Sequence, residues 1–224
     1  MGLIWFYWGC CWGSFLTVVG TRMGAGKPFW RGRSYCQTCG QQLRWWELLP
    51  LVSFIWQRGH CRTCHVRLPV HLLGWELTAG SCVLLSPPTS WANVSWLAFL
   101  LGLQLLSTFD ATCRCFPGWG LIPLVGLGLL VTIHSQLVCL VISSGYLCLL
   151  IMNRHEHWLG NGDLDVLWLL LLVFPLSTWC LIVLGAALGG LGLLAWRRQR
   201  TLPFLPVLFV STLLVLAGAS CFPL

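Results

Sequence analysis

LDVLWLLLLVFPLSTWCLIVLGAALGGLGLLAW, residues 164–196, is an almost unbroken apolar run whose one charged residue is Asp165. About 20 residues carry a helix across a bilayer, so the run is too long for one crossing. Pro175-Leu176-Ser177 in its middle predicts a tight hairpin between two short helices, because proline ends the first one. Outward from this run the same texture recurs. Apolar stretches occupy residues 2–21, 72–86, 91–109, 121–134 and 137–152 before it, and 202–222 after it. Pro87-Pro88 breaks the chain between the second and third. The sum is an all-α, polytopic membrane protein of about eight transmembrane helices. Composition agrees: 57% of the 224 residues are hydrophobic and 8% charged, against about 25% charged in a soluble domain. Fifteen Trp residues suit a chain with many membrane–water boundaries.

The basic residues test this map. Arg22, Lys27, Arg31, Arg33, Arg44, Arg58, Arg62 and Arg67 fall between spans one and two. Arg114 falls between spans three and four, Arg154 between five and six, and Arg197, Arg198 and Arg200 between seven and eight. With eight spans these loops share one face, which the positive-inside rule makes cytoplasmic. Residues 1–12 carry no Lys or Arg, so the first apolar stretch reads as a retained span rather than a cleaved signal. Phe6 stands where a myristoylation pattern needs Ser or Thr, which argues against a lipid anchor there. No internal repeat is apparent, and the chain divides into a first helix (1–22), a cytoplasmic cysteine-rich loop (23–71) and a membrane domain (72–224).

Four of the thirteen cysteines form a pattern: Cys36-Gln-Thr-Cys39 and Cys61-Arg-Thr-Cys64. Two CxxC pairs at this distance suit tetrahedral Zn²⁺, each pair chelating from one tight turn. Cytoplasmic thiols stay reduced, which favours metal over disulfide. A closed set of four thiolates leaves no open position for substrate, so the expected role is structural. His60 and His65 flank the second pair and are expected to be solvated. The other nine cysteines, Cys10, Cys11, Cys82, Cys113, Cys115, Cys139, Cys148, Cys180 and Cys221, read as small apolar residues.

Acids are few in the apolar part: Glu76, Asp110, Asp163 and Asp165, with Glu156 in a loop. An ionisable group in a bilayer is costly and marks a functional candidate. Asp110 ends the third span and Asp163, within Gly160-Asn161-Gly162-Asp163, begins the sixth, so both fall at cytoplasmic helix ends. Two carboxylates at hydrogen-bonding distance share a proton, one acting as base and the other as acid. Gly160 and Gly162 leave the backbone beside Asp163 open to an extended substrate. Spacing alone also admits a bland reading, in which Asp163 is an N-cap.

The ordered motifs resolve this choice. Gly13-Ser14-Phe15-Leu16 with Arg22, the 34–64 cysteine loop, Leu73-Gly74-Trp75-Glu76-Leu77-Thr78, Asp110 with Pro117, and Gly160-Asn161-Gly162-Asp163 together resemble the type IV prepilin peptidases, the GxGD membrane aspartic proteases. The chain has Gly118 after Pro117, and Asp165 where members often carry Lys. The resemblance implies an endopeptidase that cuts the leader from prepilin or pseudopilin precursors at the cytoplasmic face of the plasma membrane. Asp110 and Asp163 would be its catalytic pair. Some members also N-methylate the new terminus with S-adenosylmethionine. Membrane lipids are expected partners of the basic loops, and nucleic acid is not. Two other classes fit the composition: a non-enzymatic assembly protein with a zinc-ribbon loop, and a transporter using buried acids.

Overall fold

The computed structural model describes residues 1–114, 118–132, 134–153, 160–197 and 201–221. Cys115, Pro117, Arg154, Glu156, Arg198 and Arg200, used in the sequence reading, lie outside the described residues, as do the side chains of Arg197 and Cys221. Among the described residues the protein is all-helical: α1 (Gly2–Gly24), α2 (Val52–Trp56), α3 (Val70–Leu85), α4 (Trp91–Cys113), α5 (Leu121–Val131), α6 (Gln136–Met152), α7 (Asn161–Val173), α8 (Leu176–Arg197) and α9 (Phe204–Cys221). Extended pairing there is confined to two isolated bridges, Tyr35 with Gln42 and His60 with Arg67.

Each predicted apolar stretch is a helix. Helices α1, α4 and α8 are long and apolar enough to cross a membrane by themselves, and α3, α5, α6 and α9 are shorter apolar helices. The run 164–196 breaks at Phe174-Pro175 as expected, ending α7 and starting α8. The Pro87-Pro88 break separates α3 from α4, and Ser90 caps α4 by accepting a 3.2 Å hydrogen bond from the Asn93 N–H. The third span runs past its predicted end at Phe109 to Cys113, where Arg114 stops it in a left-handed conformation.

The molecule is arranged for lipid. Leu130, Leu137, Val141, Ile151 and Leu188 are exposed, whereas Gln104, Ser107, Thr108, Asn153, Ser211 and Thr212 are buried. Hydroxyls inside the bundle turn back to the preceding turn, as Thr17 does to the Gly13 carbonyl at 2.8 Å. Others cross to a neighbouring helix: Ser211 donates to Ile182 C=O at 2.7 Å and Gln104 to Trp75 C=O at 2.7 Å. Lipid offers these groups no partner, so the protein must.

Helix α4 is central and packs against α1, α3, α5 and α9. Its Phe99, Leu100, Leu103 and Leu106 join Leu169, Leu170 and Val173 of α7 and Leu208 of α9 in one core. Helices α1 and α3 make the most extensive contact in the molecule, and small residues permit it. A Cβ on Gly9 would lie 2.6 Å from the Ala79 carbonyl, and one on Gly13 2.5 Å from the Trp75 carbonyl. Because lipid tails are as apolar as leucine, close backbone approach rather than hydrophobic exclusion holds such a pair.

Gly13→Leu is therefore expected to cost about 1–3 kcal/mol or more by overpacking. In detergent the melting temperature should fall by several degrees. Gly74→Ala, on α3 with nothing within 4 Å of the added Cβ, should leave it unchanged or raise it.

Candidate functional site

The loop between α1 and α3 is built from two copies of one turn. Cys36 N–H donates to Gln41 C=O and Gly40 N–H to Cys36 C=O, both at 2.9 Å. Twenty-five positions on, Cys61 N–H donates to Val66 C=O and His65 N–H to Cys61 C=O, again at 2.9 Å. The flanks repeat too: Leu43 N–H to Ser34 C=O at 2.8 Å, and Leu68 N–H to Gly59 C=O at 2.7 Å. Each turn needs a positive φ just after its second cysteine, supplied by Gly40 (+71°) and by His65 (+53°). The sequence reading saw no internal repeat; this short one is carried by backbone conformation, with only the CxxC pairs visible in the residues.

The two turns face each other, and the sulfurs of Cys36, Cys39, Cys61 and Cys64 all lie within 4.8 Å of one another. Four thiolates bound tetrahedrally at about 2.3 Å stand about 3.8 Å apart. The Cys36–Cys64 sulfur separation is 3.8 Å. The donor set thus fits a zinc-sized soft cation without rearrangement. The N–H groups of Cys39 and Thr38 point at the Cys36 sulfur and lower that thiol, while at Cys64 the Val66 N–H is outweighed by desolvation and the neighbouring thiols, which raise it; a bound metal would displace the remaining protons. His60 turns away, its Nδ1 2.7 Å from Arg58 C=O, and His65 is exposed.

Two side chains fasten this loop to the bundle. The Arg22 guanidinium, in the last turn of α1, donates to the carbonyls of Phe29, Arg31, Gly32 and Arg33 at 2.9–3.2 Å. The Glu76 carboxylate on α3 accepts the Leu51 N–H at 2.8 Å.

The second cluster lies where α4 ends and α7 begins. Asp110 sits in the last turn of α4, and its Oδ2 accepts the Leu205 N–H, in the first turn of α9, at 3.0 Å. Beside it Arg114 closes α4 and donates to Thr201 at 3.1 Å. Asp163 is not the cap of α7; Gly160 occupies that position and its carbonyl accepts the Asp163 N–H at 3.1 Å. The carboxyl of Asp163 is half-buried and lies within electrostatic reach of Asp110. No hydrogen bond holds it among the described residues. Asp165 faces elsewhere: it accepts the Tyr146 hydroxyl of α6, and that ring stacks on Trp168 with centroids 4.7 Å apart. Residues two apart on a helix point to different sides, and of the two acids Asp163 is the one within electrostatic reach of Asp110. A half-buried carboxyl pair of this kind can pass a proton between its members.

Two participants escaped sequence reading. Leu205 acts through its backbone N–H, and its only trace is Pro203 just before α9, a frequent helix-start residue. Tyr146 lies in a span that also carries Ser143 and Ser144, and nothing in its spacing links it to Asp165.

Comparison with known proteins adds an independent line. The model of the bacterial peptidase A24 N-terminal domain matches residues 7–87, from the first helix through the four-cysteine loop to the end of α3. A prepilin leader peptidase/N-methyltransferase of Pseudomonas putida is 32% identical over 204 residues, covering 80% of this chain and 69% of that protein. One of Aeromonas hydrophila is 30% identical over 202 residues, with the same coverage. One of Burkholderia pseudomallei is 32% identical over 201 residues and covers 79% of this chain. The chain spans 64% of that relative's length. No solved structure matches the chain significantly.

The thiolate geometry predicts that the purified protein carries about one zinc ion per chain. Cys36→Ser and Cys61→Ser should each abolish stoichiometric metal in elemental analysis. Full retention in both variants would exclude these sulfurs as the ligand set.

Proposed function

This chain belongs to the prepilin leader peptidase/N-methyltransferase family, and we propose that it is an aspartic endopeptidase removing the leader from type IV prepilin or pseudopilin precursors. The observation that supports the proposal is that Asp110 and Asp163, far apart in sequence, lie within electrostatic reach of each other at the ends of α4 and α7. Asp110 is anchored by the Leu205 amide, whereas Asp163 has no such clamp among the described residues.

In the reaction proposed, the ionised carboxyl takes a proton from water. The resulting hydroxide oxygen adds to the scissile carbonyl carbon, and the protonated carboxyl donates its proton to the carbonyl oxygen. The gem-diol intermediate then collapses: the leaving amine takes up the proton the base had held, the C–N bond breaks, and one gem-diol hydroxyl returns its proton to the other carboxylate, which restores the singly protonated pair. Charge alternates between the two oxygens that need it, so neither a covalent intermediate nor a metal enters this step. The Arg114–Thr201 bond ties the ends of α4 and α9 together, which keeps the Asp110–Leu205 contact in register. Gly160 is exposed, and so leaves room beside Asp163 for an extended peptide.

The four-cysteine loop is assigned a structural zinc through Cys36, Cys39, Cys61 and Cys64, because the set is closed. On this reading residues 23–71 form the metal-folded loop and residues 72–224 the peptidase domain. The protein would lie in the plasma membrane with its basic loops and both aspartates on the cytoplasmic side, where the uncut leader is found. Lys27 and the exposed arginines would contact anionic lipid. The relatives' names include N-methyltransferase; transfer of a methyl group from S-adenosylmethionine to the new N-terminus is the second activity to assay on the same product. A non-enzymatic assembly role gains no support from the paired aspartates.

Expressed with a pilin-like precursor, the protein should yield the shortened product. Asp110→Asn and Asp163→Asn should each lower the processing rate by about 10²–10⁴-fold. Asp165→Asn should retain most of it. Processing left intact in both dyad variants overturns the peptidase reading.

A further inference from the structure

One part of the cysteine loop, ahead of the second CxxC pair, is tied down against the bundle. Helix α2 follows Leu51, whose N–H is bonded to Glu76. Glu76 lies six residues into α3, about 9 Å along it at 1.5 Å per residue. With 16 residues, α3 is about 24 Å long, shorter than the ~30 Å hydrocarbon core it has to cross. Whatever is bonded to Glu76 is therefore at the level of the membrane boundary or below it. Leu51 takes a positive φ of +59° to reach this position, a backbone state that a leucine adopts only when its surroundings require it.

At that depth α2 turns an apolar face outward. Val52, Ile55 and Trp56 are spaced i, i+3 and i+4 and share one side of the turn. Ile55 is 72% exposed and Trp56 85%. Phe54 points the other way and covers Gly59. Trp45, just upstream, is exposed as well, with its ring edge-on to Trp46. Around this patch Arg44, Arg58, Arg62 and Arg67 are exposed. Arg58 lies two residues after the end of α2, while Arg62 also pairs with Glu47 at 3.4 Å. An aromatic and aliphatic face rimmed by arginine suits the headgroup boundary of an anionic leaflet, where indole rings and basic side chains are both favoured.

We infer that residues 45–58 form an interfacial wedge, with Val52, Ile55 and Trp56 seated among lipid on the basic side of the membrane and Arg58 beside them reading anionic headgroups. The wedge and the metal-binding turns belong to one loop, held to the bundle by Glu76 and Arg22. Lipid contact on α2 thus bears on the orientation of the whole loop above the bundle. The partner is the leaflet in which the protein is embedded. A second copy of the chain would need its own apolar face at the same depth.

The test uses the full chain in nanodiscs, either of phosphatidylcholine alone or with phosphatidylglycerol added. Trp56→p-benzoylphenylalanine, and separately Ile55→p-benzoylphenylalanine, are photoactivated and analysed by mass spectrometry, with retained metal as the check on folding. Lipid adducts should dominate at both positions and rise several-fold with phosphatidylglycerol. Arg58→Asn, which tolerates the +51° φ found there, should remove most of that rise. Crosslinks to a second copy of the chain, or folded protein without lipid adducts at either position, overturn the inference. Lipid adducts that ignore both phosphatidylglycerol and Arg58→Asn overturn its headgroup component. None of these readouts depends on peptidase activity.

Discussion

A carboxylate placed inside a lipid-facing bundle has to bring its hydrogen-bond partner with it, and three of the four acids here do so. Glu76 takes the Leu51 amide, Asp110 the Leu205 amide, and Asp165 the Tyr146 hydroxyl. Each bond also joins two parts of the chain that sequence keeps distant: loop to α3, α4 to α9, and α6 to α7. The acids therefore act as fasteners as well as chemistry. Asp163 is the exception, since its described neighbour is the charge of Asp110 rather than a donor. In the proposed reaction Asp163 has to accept and release protons, and among the described residues no hydrogen bond locks its carboxyl.

The second constraint is the attachment of the four-cysteine loop to the bundle. Glycines on α1 let it meet α3 at backbone distance, and the loop leaves from one of these helices and returns to the other. Arg22 binds the start of the loop through four carbonyls, and Glu76 binds its middle. A metal held by the four sulfurs would fold a segment with little core of its own. The stiffness of the loop thus has three sources, of which only the metal ligands are apparent as a motif.

What was legible in the sequence follows the same division. Hydropathy and proline placed the spans, because burial in lipid depends on composition over about 20 residues rather than on detail. The break at Pro175 and the pairing of CxxC turns were legible for equally local reasons. Helix ends were less so: the third span continues through Asp110-Ala111-Thr112-Cys113, polar enough to end a hydropathy window yet fully helical, and stops at the left-handed Arg114. The duplicated turn went unseen because its signature is a hydrogen-bond pattern, and at its positive-φ position one copy uses glycine and the other histidine. Contacts made by backbone amides, such as that of Leu205, leave no chemical mark on the residue that makes them.

Asp165 shows how such a contact changes the reading of a residue. As a sequence feature it puts a second negative charge two positions from Asp163, where relatives of this type often carry Lys. Left free, it would compete for the role of Asp110's partner and add repulsion to a site already rich in acid. Its place on the helix turns it toward α6 instead, where the Tyr146 hydroxyl takes up its charge, and the Tyr146 ring, stacked on Trp168, is itself held in place. The acid is thereby spent on fixing α6 to α7. The site keeps one clamped carboxyl and one unclamped carboxyl, an asymmetry that suits a pair in which one member donates a proton while the other accepts one.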